Sequence, residues 1–109
     1  MSSVFANQEQ RHPLIDIDQL IHAPARLMVL SHLYVVERAD YVFLKQQTGL
    51  SWGNLSTHMS KLEEAGYVEL EKGYRGKKPH TMIRLTAAGR RAFKAYKRSM
   101  QQVLDDLPD

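Results

Sequence analysis

Five histidines, His12, His22, His32, His58 and His80, are the plausible acid–base or metal-binding side chains of this 109-residue sequence, and no cysteine accompanies them. Thiolate metal sites, disulfide scaffolds and cysteine nucleophiles are therefore excluded. A helical metal site would repeat histidine at i and i+4 with a carboxylate close by, and none of the five does so. His22 and His32 stand ten residues apart, His58 borders an apolar helix face, and His80 opens a strand-like run. Each reads as a structural histidine, so neither catalysis, a cofactor nor a resident metal is expected. An all-His or His/Asp site shared between subunits is the one metal arrangement left open.

A different chemistry is written into residues 51–61. Advancing 100° per residue from Trp52 gathers Leu55, Met59 and Leu62 on one side of a helix, with His58 beside them. Gly53, Asn54, Ser56, Thr57, Ser60 and Lys61 fall on the other side, and none of these six is bulky or acidic. Short amide and hydroxyl side chains on a helix can reach base edges in the major groove of double-stranded DNA. The lack of carboxylates lets phosphates approach, whereas an ordinary solvated face would carry Glu. Here Glu63 and Glu64 come only near the helix end.

The charge distribution points the same way. The formal net charge of +3 conceals a block over residues 72–98 that holds ten Lys and Arg and no Asp or Glu. That +10 block is flanked by −4 over residues 1–71 and −3 over the last eleven residues. So dense a cationic segment repels itself unless a polyanion lies nearby, although part of it can simply be solvated surface. Within it Gly73 and Gly76 allow tight turning, and Arg75, Lys77 and Lys78 stand where they can grip phosphates or a minor groove, which supplies affinity with little sequence information.

The elements that must position these groups follow from periodicity and punctuation. Residues 1–13 form a polar leader without the apolar core of a secretion signal, and no apolar run is long enough to span a bilayer, so a soluble cytoplasmic protein is expected. Asp16 or Asp18 caps a short helix to about Ala23, with Leu14, Ile17, Leu20 and Ile21 on one side. Pro24 opens a helix to Glu37 that is apolar nearly all round, as for a buried central helix. Arg38-Ala39-Asp40 reads as a break. Tyr41–Thr48 is a short helix with Phe43 and Leu44 as its apolar contacts, stopped at Gly49. Leu50 plugs the core and Ser51 caps the helix from Trp52 to Ala65. Tyr67–Lys72 and His80–Leu85 alternate as strands around a basic loop at 73–79, with Val68, Leu70, Ile83 and Leu85 inward. Thr86 caps a last helix reaching about Leu107.

Three stretches, HAPARLMVLSHL (22–33), FLKQQTGLSWGNLSTHMSKLEEAGYVE (43–69) and RGKKPHTMIRLTAAGRRAF (75–93), give residues 22–98 a resemblance to the MarR/ArsR-type winged helix-turn-helix regulators, and more closely to the small single-domain MarR-like subgroup. The run GNLSTHMSKLEEAGYV is the most specific, because it joins the polar-faced helix directly to the first wing strand. The resemblance implies a homodimer on a pseudo-palindromic operator, usually a repressor. It places groove reading on Ser51, Asn54, Ser56, Thr57 and Ser60 and wing contacts on Arg75, Lys77 and Lys78. Lys61 belongs to the same polar face. Trp52 departs from the small or polar residue usual there and is counted with the DNA-contacting set, with packing on the preceding helix as its alternative. A small-molecule effector is compatible with the family, but no residue cluster specifies one.

Phe93, Tyr96, Met100, Val103 and Leu107 are spaced 3, 4, 3 and 4 apart, the seam of a coiled-coil-like helix. Packing of this seam on the chain's own helices competes with dimerisation. A domain this small has difficulty burying Leu14, Ile17, Leu20, Ile21 and the whole seam alone, so the two terminal helices are expected to form an isologous interface. The expected fold is mainly α with a small β-hairpin, a winged helix-turn-helix over residues 14–85 followed by a dimerisation helix over 86–109. A winged helix that binds RNA or protein is the rival: RNA recognition exploits exposed aromatics, for which Trp52 and Tyr74 could serve.

Overall fold

The computed structural model describes residues 13–109, so residues 1–12 of the expected leader, His12 among them, lie outside the described residues. A 3-10 helix at Pro13–Asp16 leads into α1 (Pro24–Val36), β1 (Arg38–Asp40), α2 (Tyr41–Thr48), α3 (Trp52–Glu64), β2 (Val68–Arg75), β3 (Lys78–Leu85) and α4 (Ala87–Asp105). The strands form one antiparallel sheet in the order β1-β3-β2.

Most boundaries obey the local rules. Gly49, at φ 70°, ends α2 in the left-handed conformation that costs glycine least. Ser51 caps α3 by accepting the Asn54 N–H at 3.1 Å, and Thr86 caps α4 by accepting the Gly89 N–H at 2.9 Å. Thr86 also donates to the Gly66 carbonyl, which holds the end of α3 against the start of α4.

Four expectations need correction. Residues 17–23 form no helix continuing to Ala23: Asp18 Oδ1 accepts the Leu20 and Ile21 N–H groups in a tight turn, and Ala23 is extended ahead of Pro24. Arg38-Ala39-Asp40 is a strand, paired with Met82–Arg84; three residues are too few for alternation to show. The basic segment is a long hairpin, with β2 and β3 paired out to Arg75 opposite Lys78 and only Gly76 and Lys77 in the turn. Finally, α1 is not enclosed on all sides. Ala25, Val29, Leu30 and Leu33 are buried, whereas Met28, Val35 and Val36 are exposed, because the sheet, α3 and α4 cover only part of its circumference.

The core joins Val29, Leu30 and Leu33 of α1 to Leu44, Leu55, Met59 and Leu62 of the next two helices and to Val68, Ile83 and Leu85 of the sheet. Leu50 packs on this core as expected. Each fully buried side chain contributes about 1.5–3 kcal/mol. Phe93 and Tyr96 of α4 belong to the same cluster, as do Ile17 and Ile21, because the N-terminal turn folds back on α4. There His22 Nδ1 lies 2.8 Å from the Tyr96 hydroxyl. Among the residues expected at a dimer interface, Ile17, Ile21, Phe93, Tyr96 and Val103 are thus buried within one protomer, Ile21 completely. Leu14, Leu20 and Met100 are half-buried and Leu107 is exposed, and these four retain apolar surface.

Three hydrogen bonds tie α3 and Tyr67, just before β2, to Arg26 and the N-terminal turn. Arg26 donates through Nε to the Leu20 carbonyl and through Nη1 to His58 Nδ1 on α3 at 2.9 Å. Because a guanidinium can only donate, Nδ1 of His58 accepts and the ring proton sits on Nε2. Burial, then the charges of Arg26 and Lys61, hold the His58 imidazole below its ordinary pKa. Tyr67 donates to Asp18 Oδ2 at 2.8 Å, and burial together with that carboxylate pushes the phenol up to about 12.

Gly89 marks the closest packing of α4 on the sheet, since a Cβ there would collide with the Tyr67 carbonyl oxygen, a backbone atom. Gly89→Ala should therefore cost about 1–3 kcal/mol or more, read as a lower urea midpoint, and an unchanged midpoint would contradict this packing. For His58 the depressed folded pKa makes its stabilising contribution present above the unfolded imidazole value and lost as pH falls through that region. Wild-type stability should drop more than that of His58→Gln between pH 7.5 and 5.5, roughly one pH unit either side of the ordinary histidine value; parallel profiles would show that His58 carries none of the pH dependence.

Candidate nucleic-acid interface

The amphipathic division of α3 is realised in space. Leu55, Met59 and Leu62 are buried, and Trp52, Gly53, Asn54, Ser56, Thr57, Ser60 and Lys61 are all exposed along with the capping Ser51. A three-residue turn, Gly49 to Ser51, sets α3 directly after α2. Its outward face carries no carboxylate until Glu63.

Several of these polar groups are partly committed within the protein. Thr57 Oγ1 donates to the Gly53 carbonyl at 3.0 Å, and Ser51 Oγ is engaged as the cap. Ser56 lies beside Tyr41, whose phenol is raised in pKa because burial outweighs the opposing effect of the Ser56 hydroxyl. The side chains of Asn54, Ser60 and Lys61 have no protein partner among the described residues, and of these Asn54 alone offers both a donor and an acceptor amide group.

Of the two roles considered for Trp52, packing on the preceding helix is the one seen here. Its ring stacks on Tyr41 of α2 with centroids 6.1 Å apart and planes at 25°, and Lys45 Nζ stands 5.1 Å from its centre. Even so, 54% of Trp52 remains exposed at the first position of α3. The stack fixes the ring's orientation while leaving an edge open to a neighbour.

The wing lies alongside. A cleft of about 370 Å³ is bounded by Tyr41, Trp52 and Ser56 on the helical side and by Pro79, His80 and Thr81 of β3 on the other, so α3 and the wing share one continuous surface. Near the sheet's base Glu69 pairs with Arg84 and Glu71 with Arg38, and these ion pairs neutralise the only acids on β2. Beyond them Lys72, Arg75, Lys77 and Lys78 are exposed and make no ion pair among the described residues. Arg90, by contrast, is held over the Tyr34 ring at 4.8 Å and donates to the Tyr34 carbonyl, so this part of the basic block has a structural role.

Asp40 and His80 form the joint that sequence reasoning missed. Asp40 Oδ1 accepts the Val42 and Phe43 N–H groups at the start of α2, and Oδ2 meets His80 Nε2 at 2.5 Å. The His80 hydrogen bond, assisted by those backbone donors and opposed by burial, lowers the Asp40 pKa. The capping half was available from the rule that Asp precedes helices. The other partner lies 40 residues away, and no local pattern announces it.

Among the described residues no three His, Asp or Glu are placed to hold a metal ion, and no helix is long and apolar enough to cross a membrane.

Comparison with known proteins agrees with this architecture. The winged helix DNA-binding domain family matches residues 25–104. An uncharacterized protein of Methanocaldococcus jannaschii is 37% identical over 78 residues, which cover 72% of this chain and 85% of the relative. The solved structure of a transcriptional regulator homologue from Pyrococcus horikoshii superposes with a TM-score of 0.75 at 26% identity, covering 81% of this chain and 87% of that one. A MarR-family regulator from Silicibacter pomeroyi shares the fold, with a TM-score of 0.64 at 19% identity, covering 85% of this chain and 62% of that one. The exposed polar helix, the short turn before it and the basic hairpin beside it thus sit in a fold of the MarR/ArsR type, and the chain belongs to the winged helix DNA-binding domain family.

Proposed function

We propose that this protein is a cytoplasmic, sequence-specific regulator of transcription that binds double-stranded DNA as a homodimer, most simply as a repressor seated on a pseudo-palindromic operator. The observation that carries the reading is the continuity of two surfaces: an acid-free helix face, α3, and a hairpin whose outer cations have no counter-charge among the described residues. The first is suited to base edges in a major groove and the second to the flanking phosphates.

The roles divide accordingly. Asn54, with a free amide, is the strongest candidate for reading a base, and Thr57, Ser60 and Lys61 flank it on the same face. Ser51, Trp52 and Ser56, at the start of α3, set the approach of the helix to the strand it enters. Arg75, Lys77 and Lys78 supply affinity without selectivity. Repetition by a two-fold axis would set two α3 helices about one turn of DNA apart. The apolar surface left on Leu14, Leu20, Met100 and Leu107 supports such an axis through the terminal segments.

Selection of bound fragments from a genomic library would define the operator. With that duplex in hand, replacing Arg75, Lys77 and Lys78 together with Ala should weaken binding to all sequences alike. It should also flatten the salt dependence by roughly two to three in the log–log slope, at about 0.9 for each phosphate no longer neutralised. An unchanged slope would remove the wing from the interface. Asn54→Ala should instead relax the preference for one base pair, at about 1–3 kcal/mol. Identical selectivity across a randomised operator library would exclude Asn54 as a reader.

A further inference from the structure

The two sides of the wing hairpin are chemically different. Val68 pairs with Leu85 and Leu70 with Ile83 on the side that faces the core. Residues opposite one another in an antiparallel pair share a side, and sides alternate along each strand. The next rungs on the core side are therefore Lys72 with Thr81 and Tyr74 with Pro79, whereas Arg75 and Lys78 lie on the other side with Gly73 and His80. Tyr74 and Pro79 thus carry the inward side of the ribbon past the end of the core. On this side Pro79 and Thr81 bound the cleft whose far wall is Trp52.

Tyr74 is 76% exposed, more than any other aromatic residue described. Its side chain makes no hydrogen bond and no ring contact among the described residues. A ring in that position gains nothing from folding and keeps its apolar faces for a partner. Its neighbours indicate which partner. Lys45 stands over Trp52, Lys72 shares the side of Tyr74, and Lys77 occupies the turn, so cations and apolar rings are interleaved across the cleft. A nucleic-acid strand has the matching alternation, an anionic phosphate followed by a sugar with apolar C–H edges.

We propose that Tyr74, backed by Pro79, seats a deoxyribose of the strand that passes between α3 and the wing, with Lys72 and Lys77 meeting the phosphates on either side. The proposal rests on the DNA reading above and deepens it. The contact adds to the wing an apolar component that salt does not screen, beside the ionic one of Arg75, Lys77 and Lys78. It also distinguishes the two kinds of nucleic acid. A ring laid against C2′ leaves the extra hydroxyl of ribose with neither water nor a protein partner.

Hydroxyl-radical footprinting reads the sugars directly, on the duplex recovered from the genomic library. Wild type should shield a short run of deoxyriboses beside the α3 contact, and Tyr74→Ala should unmask them while shielding by α3 persists. The same variant should bind roughly tenfold more weakly at every salt concentration, with an unchanged log–log slope, unlike removal of the wing cations. Tyr74→Phe should keep both footprint and affinity, because the ring and not its hydroxyl makes the contact. One ribonucleotide at an unmasked position should weaken wild type about fivefold and leave Tyr74→Ala indifferent. Tyr74 lies outside the core, so all three proteins should keep the same circular dichroism. An Ala variant that matches wild type, a Phe variant as weak as Ala, or a ribonucleotide tolerated equally by both proteins would each overturn the sugar contact and leave the DNA reading standing. A wild type that shields no duplex but holds single-stranded RNA through Tyr74 would reject the DNA reading, and this contact with it.

Discussion

The carboxylate of Asp40 is the point on which the geometry of the surface shared by α3 and the wing depends. One oxygen closes the first turn of α2 and the other holds His80, near the start of β3, the sheet's central strand. The shared core packs the helix-turn-helix on the hairpin, and the angle between them needs a further constraint. A side chain hydrogen-bonded to both, on a strand that is itself part of the sheet, supplies that constraint. The short β1 adds a backbone component, with Asp40 paired to Met82 two residues beyond His80. The surface shared by Trp52, Ser56 and Thr81 follows from this joint.

How much of the fold could be read from the residues depended on range. Helix caps are local, and Ser51, Thr86 and Gly49 declared the boundaries of α2, α3 and α4 through interactions spanning three or four residues. The two faces of α3 were equally legible, because a helix converts sequence spacing directly into direction. What stayed hidden was set by distant partners. β1 exists because β3 accepts it, and three residues carry no periodicity of their own. The wing reads as a loop because Lys, Gly and Pro are poor strand formers, yet pairing from Val68–Leu85 outward carries the ladder to Arg75 and Lys78. On the seam of α4, spacing identified the apolar residues but could not tell burial against the same chain from burial against another. Folding back of the N-terminal turn decided it for Phe93 and Tyr96.

The electrostatics are partitioned in a comparable way. Each acid on β2 has an arginine across the sheet, so the positive field of the block is cancelled at the sheet's base and survives at its tip. These pairs are exposed and add little stability, about 0–1 kcal/mol each. Their effect is on where the field is strong. A cationic tip on a paired hairpin with a two-residue turn is also held in place before any polyanion arrives, which limits the ordering cost of association.

The hydrogen bond from Thr57 to the Gly53 carbonyl has a consequence for recognition. A hydroxyl that has already given its proton away retains only lone pairs and a neighbouring methyl. Such a side chain can receive the exocyclic amine of adenine or cytosine, or lie against the methyl of thymine, but it has no hydrogen to offer the two acceptors that guanine presents in the same groove. Under the proposed DNA-binding reading, guanine is therefore the base that the Thr57 hydroxyl serves least well.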